Sequence, residues 1–324
     1  MSPIQQIFLG AGGAAAAVEG QAMYVYPGSY NWTVPEGVTS VSVVCIGGGG
    51  AGTTGQNAGR GGASGALAYG NNISVTPGST IAVVVGAAGY CNTARTDAFD
   101  GGASTFNGAS FLSAGGGTKT GTAGTSSGSA RDGGGDGGTS PSTWTTGWGF
   151  YNGNGGAGAG GYGGDGGAGG GAGGGAGSAG SSDAGGGGSA SDYSDYKAGA
   201  GGGSSLFGTQ GNDPNNSTAK TTGGSGGTTL SSGTGRQGGC GQGNYSHNYG
   251  TNSNATTPQL PTGYIGGEPP NNPGWYYFGA GGGADSTFNA QGQRKGGRGG
   301  VRIIWPGNTR SFPNTNVTGG YGST

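Results

Sequence analysis

Trp32-Thr-Val-Pro-Glu-Gly-Val-Thr-Ser-Val-Ser-Val-Val-Cys-Ile46 runs straight into Gly47-Gly-Gly-Gly50, and the fold turns on how that junction is read. Thr39, Val41, Val43 and Cys45 fall on one side of an alternation and Ser40 and Ser42 on the other. Near its end Val44 and Ile46 make both sides apolar. Period-two alternation in β-branched residues marks a strand. Pro35-Glu36-Gly37 ahead of it marks a turn, and residues 24–46 form the most strand-like stretch of the chain. The strand stops in four glycines.

Working outward, Ile73-Ser-Val-Thr76, the dipeptide Pro77-Gly78 and residues 81–85 predict a hairpin. A last strand, residues 301–305, follows Gly296-Gly-Arg-Gly-Gly300. The apolar core is thus supplied by the first quarter of the chain and its final residues. The two ends must pair across a long glycine-rich insertion. Gly101-Gly-Ala-Ser-Thr-Phe-Asn107 recurs as Gly282-Gly-Ala-Asp-Ser-Thr-Phe-Asn289, and loosely as Gly202-Gly-Ser-Ser-Leu-Phe-Gly208. Each copy reads as a short strand that pins one aromatic into a core.

Glycine fills 92 of 324 positions, against a usual share of roughly 7%. Residues 160–171 read Gly-Gly-Tyr, Gly-Gly-Asp, Gly-Gly-Ala, Gly-Gly-Gly, a period of three. Polyproline II geometry has three residues per turn and no internal hydrogen bonds, so every N–H and C=O points sideways. Buried segments of this kind must bond to one another. Twelve such residues would extend about 37 Å, with Tyr162, Asp165 and Ala168 along one edge. Ordering a backbone residue costs about 1–2 kcal/mol and a net hydrogen bond returns about 0.5–1.5 kcal/mol. A lone segment therefore fails, and only a cooperative bundle with aromatic caps breaks even. Collagen would need far more than the 13 prolines present. Silk-like alternation is confined to Gly156-Ala-Gly-Ala-Gly160. A calcium roll would need an apolar residue where Gly167 stands. The fold class expected is all-β: a jelly-roll-like β-sandwich with long glycine-rich insertions forming polyglycine II helices, and little or no α-helix.

Twelve basic and 13 acidic residues give a formal charge of −1, and charged residues are 8% of the chain. That composition carries no basic footprint for nucleic acid and little repulsion against self-association. There is no apolar run of about 18 residues, so no membrane insertion is expected. The N-terminal stretch lacks the basic region of a secretory signal peptide. The expected location is a virion or extracellular appendage, reached after synthesis in the cytoplasm. Cys45 lies in an apolar run, and Cys91 and Cys240 leave a pairing open. The single histidine, His247, has no nearby acid. The three glutamates and ten aspartates show no paired-carboxylate pattern, so no enzyme activity, cofactor or metal is expected.

The aromatic residues are the better functional clue. Trp144, Trp148 and Tyr151 cluster, as do Tyr193 with Tyr196, Tyr245 with Tyr249, and Trp275 with Tyr276 through Phe278. Aromatic faces among Ser, Thr and Asn suit recognition surfaces. They would serve equally to cover a glycine lattice, or as subunit contacts. Residues 1–22 read as an assembly arm with an apolar patch of Ile4, Ile7, Phe8 and Leu9. Residues 23–306 form the glycine-rich domain. Residues 307–324 make a tail whose Phe312 and Pro313 would dock on neighbours.

Trp32-Thr-Val-Pro-Glu-Gly, the Gly47 run, Ser74-Val-Thr-Pro-Gly78 and the closing Gly-Gly-Val-Arg-Ile-Ile-Trp305 together resemble the glycine-rich domain in fibre and adhesin proteins of tailed phages. Gln5-Gln-Ile-Phe-Leu-Gly10 and Trp305-Pro-Gly-Asn-Thr-Arg-Ser-Phe-Pro313 resemble virion proteins of phages infecting marine cyanobacteria. The likeness is specific over residues 24–85 and 296–313, and compositional between them. It implies a β-sandwich carrying polyglycine II segments, with variable loops that bind host receptors in some members. Two functions are expected on these grounds. One is a structural protein that assembles with copies of itself, or with other virion proteins, into a fibre, tube or appendage. The other is an adhesin that takes host surface glycans on its aromatic loops.

Overall fold

The computed structural model describes residues 19–53, 58–90, 98–141, 152–171, 177–181, 184–187, 201–204, 206, 264–265, 278–282 and 296–313. Among them every regular element is a strand, and the chain is all-β. The first sheet has five strands: β1 (Gly20–Tyr24), β3 (Ser40–Ile46), β5 (Leu67–Ser74), β11 (Tyr264–Ile265) and β12 (Gly300–Trp305). Their order is β11-β1-β12-β3-β5, antiparallel except for β11 on β1. The second sheet is antiparallel throughout. It runs β2 (Gly28–Thr33), β6 (Thr80–Val85), β7 (Ser104–Phe106), β8 (Leu112–Ala114) and β9 (Ser126–Ser127). A short parallel pair joins β4 (Ala58–Gly59) to β10 (Asn152–Gly153).

The expected pairing of the chain's two ends is present. Strand β12 lies between β1 and β3, with Val301 opposite Cys45 on one side and Tyr24 on the other. Strand β1 begins at Gly20, inside the stretch the sequence assigns to an arm. The alternation in β3 separates two cores. Val41, Val43 and Cys45 join Trp32, Val83, Val85, Phe106 and Leu112 of the second sheet in one apolar cluster. Val44 and Ile46 point the other way, into a cluster with Met23, Leu67, Tyr162, Leu206, Phe278, Ile304 and Phe312. The late loss of polar residues in β3 therefore marks a strand buried on both faces.

The hairpin expected at Pro77-Gly78 does not form. Strands β5 and β6 belong to different sheets, and the turn carries the chain between them. Gly78 donates to Val34 O at 2.9 Å and Val34 donates back to Ser79 O at 2.8 Å. The turn is thus bonded to the segment around Pro35, where the chain makes the reverse crossing from β2 to β3. A Pro-Gly dipeptide specifies a reversal, but the partner of each strand is set by the apolar faces it must cover.

The glycine segments bond sideways in threes. Gly47, Gly48, Gly49 and Gly50 donate to Ala66, Gly102, Gly297 and Ala63 at 2.8–2.9 Å, so the fourth amide returns to the segment reached by the first. The carbonyls of Gly48, Gly49 and Gly50 accept from Gly117, Gly89 and Gly282. Residues 157–160 repeat the pattern: Ala157 donates to Gly62, Gly158 to Gly167, Ala159 to Gly202 and Gly160 to Gly65. A buried backbone polar group without a partner is costly, and here each finds one on a different neighbour. The run 160–171 is not one continuous rod, however. Gly161 donates to Gly164 O at 2.9 Å and the chain doubles back, so that Gly155 donates to Gly170. Tyr162 is buried against Tyr69 and Phe312, while Asp165 is exposed. The three residues expected along one edge are divided by that turn.

Candidate recognition surface

Tyr90 and Phe99 are the large apolar side chains left exposed among the described residues, at 49% and 40% of their surface. Their rings stack with centroids 4.5 Å apart and planes inclined by 17°. The pair is held by main chain. Phe99 donates to Tyr90 O at 2.9 Å, and Ala51 donates to Phe99 O at 3.1 Å. Gly89, next to Tyr90, donates to Gly49 O and accepts from Gly296. The rings therefore sit on backbone that the glycine bundle fixes. Lys119 brings its Nζ to 6.0 Å from the centre of the Phe99 ring, and its own amide donates to Asp100 Oδ1 at 2.7 Å. An aromatic platform flanked by one cation and one carboxylate offers ring faces and polar contacts to a ligand.

No motif in the sequence marks this pair. The available signal is positional: Gly89-Tyr90 and Phe99-Asp100-Gly101 bracket a polar stretch between two glycine segments. The aromatic residues singled out by sequence, Trp144, Trp148, Tyr151, Tyr193, Tyr196, Tyr245, Tyr249, Trp275 and Tyr276, lie outside the described residues, as do Ile4, Ile7, Phe8 and Leu9. Phe278, at the end of the Trp275 group, is core, and its carbonyl accepts from Ser204 at 3.0 Å. Phe312, expected at an assembly contact, is buried in its own chain and stacks on Tyr162 at 6.0 Å. In the Gly101 repeat Phe106 is fully buried, as expected; in the loose copy Leu206 is buried, while Phe207, like Phe288 of the second copy, lies outside the described residues.

Three of the described aspartates bind nearby amides. Asp132 Oδ2 accepts from Asn71 N, Asp136 Oδ1 from Ser126 N and Oγ, and Asp165 Oδ1 from Asp136 N, at 2.7–3.0 Å. No three His, Cys, Asp or Glu side chains among the described residues are grouped to hold a metal ion. Cys45 is a free, fully buried thiol, and burial pushes its pKa up, away from the nucleophilic thiolate. His247, Cys91 and Cys240 lie outside the described residues.

Two polar side chains inside the protein are structural. Arg302, wholly buried, donates from Nε and Nη2 to Gln21 Oε1 at 3.0 and 2.7 Å and from Nη1 to Leu206 O at 3.1 Å. Arg310 donates from Nη1 to the carbonyls of Gly20 and Trp305, and burial holds its pKa below the usual value against the opposing pull of Glu19. They fasten β12 and the segment after it to β1.

No curated protein matches the chain. A family model for the glycine-rich domain matches residues 24–243, which include the whole second sheet and strands β3 and β5 of the first. The chain belongs to the glycine-rich domain family.

Proposed function

We propose that this chain is a non-enzymatic structural protein of the tailed-phage fibre and adhesin kind, working in a virion or extracellular appendage by association with copies of itself. In this reading the two sheets form a jelly-roll-like sandwich and the glycine segments are polyglycine II helices. One observation carries it: Gly48, Gly49 and Gly50 give and receive backbone bonds to six surrounding segments. Such a bundle is stiff, nearly free of side chains and bonded in every lateral direction. It suits a rod or a support that presents loops, and little else. With 8% charged residues and a net charge of −1 the surface has little to hold copies apart. Sedimentation velocity of the purified chain, followed by electron microscopy of the associated fraction, tests the reading. Oligomers or filaments are expected, and a well-folded monomer at every concentration overturns it.

A second reading, favoured by the exposed Tyr90–Phe99 stack, is an adhesin that takes host surface glycans on aromatic rings. The double substitution Tyr90→Ala/Phe99→Ala should abolish binding to an immobilised glycan array while leaving the melting temperature unchanged. Undiminished binding removes that pair from the reading.

A further inference from the structure

Edge strands are where a sheet can add a strand from another chain, and natural proteins guard them with charge, proline, bulges or brevity. Three of the four edges of the two five-stranded sheets are covered or short. Strand β5 is bonded along its outer side, Tyr69 donating to Gly133 O and Asp132 donating to Tyr69 O. Strands β11 and β9 have two residues each, and the Ser126 amide of β9 is taken by Asp136. The fourth, β2, has six residues, Gly28-Ser-Tyr-Asn-Trp-Thr33, paired with β6 on one side only. Its ladder to β6 is regular from Gly28–Val85 to Thr33–Thr80, with no bulge. It holds no charged residue and no proline, and Gly28, Ser29, Asn31 and Thr33 are exposed. Among the described residues nothing bonds to the outer side of its backbone.

We propose that β2 is a strand-addition interface for β2 of a second copy, the two running antiparallel about a twofold axis normal to the sheet. This names one contact for the self-assembling reading above, and it rests on that reading. Such an axis keeps inward and outward faces on their own sides, so the paired residue numbers add to an even sum. Centring on Tyr30 would set Pro27, which has no N–H to donate, against Thr33 of the other copy. Centring on Asn31 avoids this. Ser29 then faces Thr33 twice, a hydroxyl pair of the kind that favours cross-strand contact, and Asn31 meets its own amide across the axis. The outward row is polar and self-complementary, while Trp32 stays in the core. A neutral edge of about 20 Å whose residues answer their own sequence in reverse fits a second copy better than a charged or apolar partner strand.

The test uses the full chain with two exposed pairs of changes, both outside the buried face of β2. Ser29→Lys/Thr33→Lys places like charges opposite each other twice and should raise the dissociation constant of the dimer about tenfold. Ser29→Lys/Thr33→Asp places opposite charges there and should associate as the wild type does. Sedimentation velocity reads association, and amide hydrogen exchange reads protection, on association, of the β2 amides that point away from β6. If both variants associate alike, whether as the wild type or equally weakened, the proposal is overturned. So too if the β2 amides that point away from β6 are already protected in the monomer, meaning that the chain's own segments cover the edge. Oligomers that persist in the Lys/Lys variant sink the β2 contact while sparing the self-assembly reading, whereas a strictly monomeric wild type sinks both.

Discussion

Asn71 holds Phe312 by both of its main-chain polar groups: Phe312 N donates to Asn71 Oδ1 at 2.8 Å, and Asn71 Nδ2 donates to Phe312 O at 2.9 Å. One side-chain amide from β5 thus replaces a neighbouring strand for the segment after β12, and the Phe312 ring is set down on Tyr162. Asn71→Leu loses both bonds and leaves two partly buried main-chain groups unpaired. It should cost about 1–3 kcal/mol and expose the chain beyond residue 306 to proteolysis. Asn71→Asp keeps the acceptor and loses the donor, so it should fall between Leu and the wild type. Urea unfolding and limited digestion followed by mass spectrometry measure the two effects.

Tyr24 packs its ring 5.0 Å from Tyr30 in the core between the sheets. Burial first, and the neighbouring Tyr30 second, push its pKa up from 10.0 to about 12. The folded protein therefore keeps a proton that the unfolded chain gives up at lower pH, and stability falls as pH rises. The contribution is whole below pH 10.0 and is lost as pH climbs to about 12. Burial shifts the Cys45 thiol in the same direction, so it adds to the alkaline loss. Melting temperatures measured from pH 8 to pH 12 should decline from pH 9.0, where the unfolded Cys45 thiol begins to ionise, and more steeply above pH 10.0, and Tyr24→Phe should shrink the decline without abolishing it. An unchanged alkaline profile in Tyr24→Phe would show that another group governs it.

Strand identity and the two-sided burial of β3 were legible because both are local. Val44 and Ile46 break the alternation in the residues themselves, and the structure assigns them to a separate cluster from Val43 and Cys45. Sheet membership was not legible. Pro77-Gly78 announces a reversal, but its bonds to Val34 decide where the chain goes, and Val34 is remote in sequence. The same holds for the run 160–171. Its period of three is visible, whereas the turn after Gly161 is set by a pocket for Tyr162 built from Tyr69 and Phe312. Tyr90 and Phe99 escaped notice because single aromatic residues beside glycine carry no spacing signal, and only the fold brings their rings together.

Arg302 of β12 and Gln21 of β1 make a buried pair in the first sheet. Removing one partner strands the other. Gln21→Leu takes two charge-assisted bonds from the guanidinium and should cost about 2–3 kcal/mol. Replacing both residues by apolar ones, Gln21→Leu/Arg302→Met, removes the charge that needed them and should recover much of that loss. A double-mutant cycle by urea unfolding gives the coupling. Additive losses would mean that the two side chains act independently.

Gly49 lies where six segments converge, and a Cβ built on it would stand 1.9 Å from Ala280 O and 2.8 Å from Gly279 O. Both obstacles are main chain, so no rotamer change can clear them. At Gly171 a Cβ would meet nothing within 4 Å. Alanine costs less conformational entropy to order than glycine, so where space exists and φ is not positive, as at Gly171, the substitution should be neutral or mildly stabilising. Gly49→Ala should therefore cost about 3 kcal/mol or more, and Gly171→Ala should lie within about 1 kcal/mol of the wild type. The contrast isolates close backbone approach from composition, because the chemistry of the change is identical at both sites. Comparing their urea midpoints decides the matter. Equal midpoints would mean that the segments around Gly49 slide apart at little cost, and a bundle that loose could not serve as a stiff support.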